Sequence, residues 1–121
     1  MAVKLNRSAD EHAKRLIEQY QFIDDEREAW SDDHPSTQTE NEFIENNGFF
    51  EYRKWFLGVN DEYAEESRRR YEFPYGDFKN VHRCGLLASQ SRAGQDKYVD
   101  VEKAAASLLA VIEKQARKKA R

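Results

Sequence analysis

The sequence predicts a mainly α-helical fold, a compact single-domain bundle of four or five short helices over residues 1–121, with room for one short β-hairpin. Three observations carry this expectation. Apolar residues recur with helical period near both ends of the chain. Residues that start and stop helices punctuate the segments between them. Aromatics make up 12% of the chain, and their large buried areas supply a core that a hydrophobic fraction of 39% would otherwise leave thin.

Taken in order, Ser8 with Glu11 has the spacing of a capping box. Behind it Ala9, Ala13, Leu16, Ile17 and Tyr20 form one stripe, which predicts a helix from about Ala9 to Gln21. Asp24 to Pro35 is polar and acidic and reads as a loop or short helix, with Trp30 folded back onto the core. Pro35-Ser36-Thr37 starts a second helix, with Thr37 and Glu40 as its capping pair. Phe43 and Ile44 give it a buried side, and Asn46-Asn47-Gly48 ends it.

For Phe49 to Leu57 a helix places Phe49, Tyr52, Trp55 and Phe56 on one side, whereas a strand mixes charge into both faces. The helix is the expected form, with Gly58 as its stop and a hairpin strand as the alternative. Asn60 or Asp61 is placed to cap a short surface helix bearing the pairs Glu65–Arg69 and Glu66–Arg70. Tyr71 to Pro74 is expected to be extended, because Pro74 disfavours helical backbone at Phe73. Tyr75-Gly76-Asp77 reads as a tight turn, with Asp77 capping a helix from about Phe78 to Ala93 and Gly94 closing it. Val101, Ala105, Leu108, Leu109, Ile112 and Ala116 then define a last helix starting near Asp100. The ends, about 1–7 and 117–121, are expected to fray.

Charge is plentiful but segregated. The chain is 36% charged with a net charge of -3. Nine acids and one base lie between Asp24 and Glu45, while Lys114, Arg117, Lys118, Lys119 and Arg121 make the C-terminal end basic. This balance gives no general basic surface for nucleic acid. The single cysteine, Cys84, permits no internal disulfide. The first residues lack the apolar core of a signal peptide, and the longest apolar run, Leu108 to Ile112, is too short to span a bilayer. The expectation is a cytoplasmic protein with no membrane partner.

No phosphate-binding glycine loop, zinc-ligand spacing or nucleophile elbow occurs, so no metal and no cofactor is expected. The one candidate for acid–base chemistry is His82, with Asp77 and Tyr75 near it in sequence. Its competing reading is a histidine hydrogen-bonded to a backbone carbonyl or to Asp77. Cys84 falls on a predicted buried face and reads as structural. The acidic run from Asp24 to His34 has oxygen ligands for a hard cation but not the spacing of a calcium loop, and reads as a solvated loop. The strongest lead is a mixture of bases and aromatics: Arg53, Lys54 and Trp55, then Arg68, Arg69, Arg70, Tyr71 and Tyr75, then Arg83. Converging, these would offer guanidinium groups and stacking faces to a partner. The competing reading is aromatics in the core and arginines paired to nearby glutamates.

The segment F-P-Y-G-D-F-K-N-V-H-R-C-G-L-L-A-S-Q-S-R-A-G-Q resembles a family of short bacterial proteins of uncharacterised function, and the resemblance extends upstream through W-S-D-D-H-P-S, E-N-E-F-I and E-Y-R-K-W-F-L-G. The second half is also similar to a stretch in some phage-associated proteins, including relatives of head-maturation proteases, although no matching Ser/His pattern is present. The resemblance implies an accessory protein of bacterial or phage origin, with no catalytic residue carried over. The expected function is a non-catalytic domain that docks on a macromolecular partner, a protein first and nucleic acid second. A small enzyme centred on His82 is the alternative, and a homo-oligomer joined at the small residues Gly85 and Ala88 is a further one.

Overall fold

A short strand opens the chain: β1 (Val3–Leu5) pairs antiparallel with β3 (Phe56–Asn60), placing Leu5 opposite Gly58. The computed structural model describes residues 3–119. Met1, Ala2, Ala120 and Arg121, part of the ends expected to fray, lie outside the described residues. The other side of β3 pairs antiparallel with β4 (Tyr71–Pro74), giving a sheet of order β1-β3-β4. Pro74, which cannot donate a ladder hydrogen bond, sits at the end of an edge strand.

The fold is mainly α, as the sequence indicates. Helix α1 (Arg7–Glu18) buries Ala9, Ala13, Leu16 and Ile17. It starts two residues earlier than expected, and the Ser8–Glu11 box is not its cap. Asn6 precedes the helix without a side-chain cap bond, and its Nδ2 instead donates to Arg53 O (2.8 Å) and Phe56 O (3.0 Å), tying the entry of α1 to the sheet. Tyr20, counted in the apolar stripe, lies beyond the helix end and is exposed.

The acidic segment carries β2 (Phe22–Ile23), a 3-10 turn (Arg27–Ala29) and the single turn α2 (Trp30–Asp33). Helix α3 (Thr37–Tyr52) is capped by Ser36, whose Oγ accepts from Thr39 N at 3.1 Å, in place of the expected Thr37. Gly48, at φ 83° and ψ 168°, breaks it where the Asn-Asn-Gly signal places the stop, but the chain re-enters helix at once. The helix expected from Phe49 to Leu57 is therefore a composite: helical to Tyr52, 3-10 over Arg53–Trp55, then strand. Gly58 is no helix stop. It lies in mid-strand, where a Cβ would stand 2.6 Å from the Phe73 ring. Local pattern favoured helix, and pairing with two strands overrode it.

The surface helix expected after Asn60 is absent. Asn60 Oδ1 accepts from Glu62 N in a turn, and only the 3-10 turn Arg68–Arg70 follows. Without that helix its charge pairs do not form. Arg68 pairs with Glu40, and Arg70 donates to Tyr63 O at 2.7 Å.

Asp77 does cap backbone N–H groups, those of Lys79 (2.9 Å) and Asn80 (2.7 Å), yet a strand and not a helix comes next. This is β5 (Val81–His82), parallel to β2 with Ile23 opposite His82. Helix α4 (Arg83–Gln95) starts about a turn later than expected, and α5 (Val99–Lys119) runs past the predicted fraying point. These two helices pack together, and α5 also packs on α1. Val101, Ala105, Leu108 and Ile112 are buried as the stripe indicates. Gln115, also buried, donates to Glu18 O at 3.0 Å and so closes the end of α1.

Gly85 serves a close approach, but within the chain: a Cβ there would meet Tyr75 O at 2.7 Å and the Trp30 ring at 3.0 Å. The small-residue face expected to admit a second copy is filled at Gly85 by the protein itself. No helix among the described residues is long and apolar enough to cross a membrane.

Candidate functional site

The residues singled out for chemistry separate into two places. The first surrounds His82. Strand β5 holds its backbone between two neighbours, because Val81 N donates to Gln21 O (3.1 Å) and His82 N to Tyr75 O (2.9 Å). This pairing sets Asp25, two residues past β2, on one side of the ring and Asp77 on the other. His82 Nδ1 lies 2.7 Å from Asp25 Oδ2, and Nε2 lies 2.9 Å from Asp77 Oδ2. Asp33, at the end of α2, places Oδ2 3.7 Å from Nδ1. Cys84, fully buried, donates its backbone N–H to Asp25 Oδ1 (2.8 Å) and turns its thiol to Asp25 Oδ2 (3.1 Å). Asp25 is thus the acidic cap that α4 lacks locally, set against the positive end of the helix.

The electrostatics follow from these contacts. The hydrogen bond to Asp77 raises His82 to about 9, against the opposing effect of burial and with help from Asp25. Burial opposes the charge on Asp77, but hydrogen bonds from His82, Asn80 N and Lys79 N outweigh it and bring it to about 2. Asp25 is likewise lowered: burial works against its charge, and the Cys84 N–H, His82 and the thiol overcome it. Burial first, then the hydrogen bond to Asp25 and the charge of that carboxylate, pushes the Cys84 thiol up to about 12.

His82 at neutral pH is therefore a protonated ring between two carboxylates, with both nitrogens hydrogen-bonded and the side chain 8% exposed. It has no free lone pair with which to act as a general base. The expected partner Asp77 is present, and Asp25 joins it. Tyr75 does not: its buried phenol donates to Lys54 O, and only its backbone meets His82. None of the three described surface cavities is lined by His82.

The second place collects part of the basic and aromatic set. Trp55 is buried, stacked on Tyr75 with ring centroids 5.6 Å apart, so both are core and not docking surface. Tyr71 is buried too, donating to Glu65 O at 2.7 Å. Arg83 does not join them: it lies against Asp24 and the backbone of Asp25. Arg69 is exposed on the 3-10 turn beside Arg68. What converges is Arg53, Arg70 and the edge of Tyr71, in an open groove of about 530 Å³ beneath the Gly48 kink.

Ile44, Phe49 and Phe50 form the apolar wall of that groove, and Glu65 and Glu66 its acidic lip. Arg53 stacks over the Phe50 ring at 4.2 Å, with Lys54 at 5.3 Å from the same ring. Phe50 is 60% exposed. Lys54 is paired to Glu51 at 3.1 Å, but the Arg53 guanidinium has no hydrogen bond or ion pair among the described residues, and its Nε is buried. Sequence reasoning missed Phe50, because it falls off the helical face of Phe49, Tyr52, Trp55 and Phe56 and was given no role, and missed the link of Asp25 and Asp33 to His82, because they lie about fifty residues away in the chain.

No protein-family model, no curated protein and no solved structure matches the chain.

Proposed function

We propose that the chain is a non-catalytic accessory domain that binds a protein partner through the groove of Phe50, Arg53 and Arg70. One observation carries the reading: a guanidinium whose carbon lies 4.2 Å from the centroid of an exposed aromatic ring, with no internal anion to satisfy it. Arginine and aromatic anchors beside an apolar wall are what a protein interface uses, and an acidic side chain of the partner would complete Arg53 bidentately. Glu65 and Glu66 at the lip, with the net charge of -3, favour a protein over a phosphate backbone. An accessory role in a bacterium or a phage agrees with the family resemblance. An enzyme at His82 and self-association at Gly85 and Ala88 have less support, since the first site is closed by carboxylates and the second is filled at Gly85 by Tyr75 and Trp30.

Fluorescence anisotropy separates the partner classes. Labelled single- and double-stranded nucleic acid, titrated at about 50 mM and 200 mM salt, is expected to show no binding that the Arg53→Glu change abolishes. Salt-sensitive binding lost in that variant would assign the groove to nucleic acid instead.

A further inference from the structure

We infer that Asp25, Asp33, His82 and Cys84 form a tetrahedral site for a divalent transition metal of the zinc class. One ligand atom from each of the four lies within 4.8 Å of all the others. The donors are a thiol sulfur, an imidazole nitrogen and two carboxylate oxygens, a set that suits zinc and its borderline-soft neighbours and not calcium or magnesium. Metal–ligand bonds of about 2.0–2.3 Å put tetrahedral ligand atoms about 3.3–3.7 Å apart. Three of the six separations lie around this, at 2.7 Å from Nδ1 to Asp25 Oδ2, 3.1 Å from the thiol to that oxygen and 3.7 Å from Nδ1 to Asp33 Oδ2, and all six stay within 4.8 Å. The shorter two need to open by well under an ångström.

The surroundings orient these donors toward one point. His82 Nε2 meets Asp77 Oδ2 at 2.9 Å, the outer carboxylate that fixes a ligating ring and leaves Nδ1, now hydrogen-bonded to Asp25, as the nitrogen that takes the metal when its proton leaves. Cys84 N–H holds Asp25 Oδ1, leaving Oδ2 for the ion. The Trp30 ring, with its centroid 6.0 Å from that of His82, covers the site, and the 38% exposed Asp33 leaves a way in from solvent. On binding, the thiol proton and the Nδ1 proton leave to solvent, and the cation takes the place both now share on Asp25. Four protein ligands close the coordination sphere, so the ion's role is to pin the Asp24–Asp33 segment to the start of α4.

The test is titration of the chelator-stripped full chain with Co²⁺, followed by absorption. The site predicts one equivalent bound, with a thiolate-to-cobalt charge-transfer band and the visible bands of tetrahedral cobalt, all displaced by Zn²⁺. Cys84→Ser removes the charge-transfer band, Asp33→Asn weakens binding, and Asp77→Asn keeps the band but weakens affinity by about 10–100-fold. Circular dichroism of each variant confirms that it is folded. Absence of the charge-transfer band in the wild-type chain at excess Co²⁺ overturns the assignment. So does a band that persists unchanged in affinity when His82→Gln and Asp33→Asn are introduced, because the thiol would then be binding cobalt alone.

Discussion

Asp25 and Cys84 meet at the start of α4, where one carboxylate accepts the backbone N–H of Cys84 at 2.8 Å and its thiol at 3.1 Å. The same carboxylate accepts from His82 at 2.7 Å. One half-buried side chain from the acidic segment therefore serves a helix terminus, a strand and a buried cysteine together. Replacing it by alanine strands three donors. We expect Asp25→Ala to destabilise the chain by about 2–4 kcal/mol, read as a fall in urea midpoint at unchanged m-value. A loss within experimental error would mean the contact contributes nothing net.

The pH dependence of stability follows from two opposite shifts. His82 is raised from 6.5 to about 9, so its contribution is fully present below pH 6.5 and is lost as pH rises through 9. Asp77 is lowered from 3.8 to about 2, so its contribution is present above 3.8 and is lost as pH falls through 2; Asp25 is shifted in the same direction. The groups facing His82 are Asp25, Asp33, Asp77 and the Cys84 thiol, and the thiol stays protonated across this range. In the presence of a chelator, unfolding free energy should decline between pH 6.5 and 9. His82→Gln should flatten that decline; the same slope in the variant would place its cause elsewhere.

Three glycines should rank by their surroundings. Gly85→Ala drives a Cβ to 2.7 Å from the Tyr75 carbonyl, which cannot move without β5, and should cost about 2–3 kcal/mol. At Gly58 the obstacle is the Phe73 ring edge at 2.6 Å, a side chain enclosed by the core, and the expected cost is similar or slightly smaller, about 1–3 kcal/mol. Gly48 has nothing within 4 Å, so only its backbone, at φ 83° and ψ 168°, opposes alanine, at about 1–2 kcal/mol. Thermal midpoints of the three variants check the order.

Much of this fold is written locally, and the site is not. The stripe from Val101 to Ile112 places α5 because burial alone decides it. Gly48 breaks α3 because its backbone must turn left-handed, which Asn-Asn-Gly announces. The segment from Phe49 to Asn60 resisted, since Phe56 and Leu57 suit either period and pairing with β1 and β4 decides between them. Capping logic found Asp77 correctly but could not foresee that β5 would intervene before α4, because its partner β2 lies about sixty residues upstream. The same long-range pairing brings Asp25 to His82, and no short-range signal marks Asp25 among its acidic neighbours.

The groove residues should matter little for folding. The Arg53 side chain makes no hydrogen bond or ion pair among the described residues, so Arg53→Met loses no bond and should leave stability within about 0.5 kcal/mol of the parent. A large loss would show that the guanidinium belongs to the fold and not to a partner.

The central claim, that this groove receives a protein, is tested most directly by photocrosslinking in the native cell with a benzophenone amino acid at Phe50. Val99, 51% exposed at the start of α5, serves as the control position. The account predicts a discrete adduct of one protein species at Phe50, none of it at Val99, and its loss on Arg53→Glu. No adduct at Phe50, or the same adducts from both positions, would contradict it.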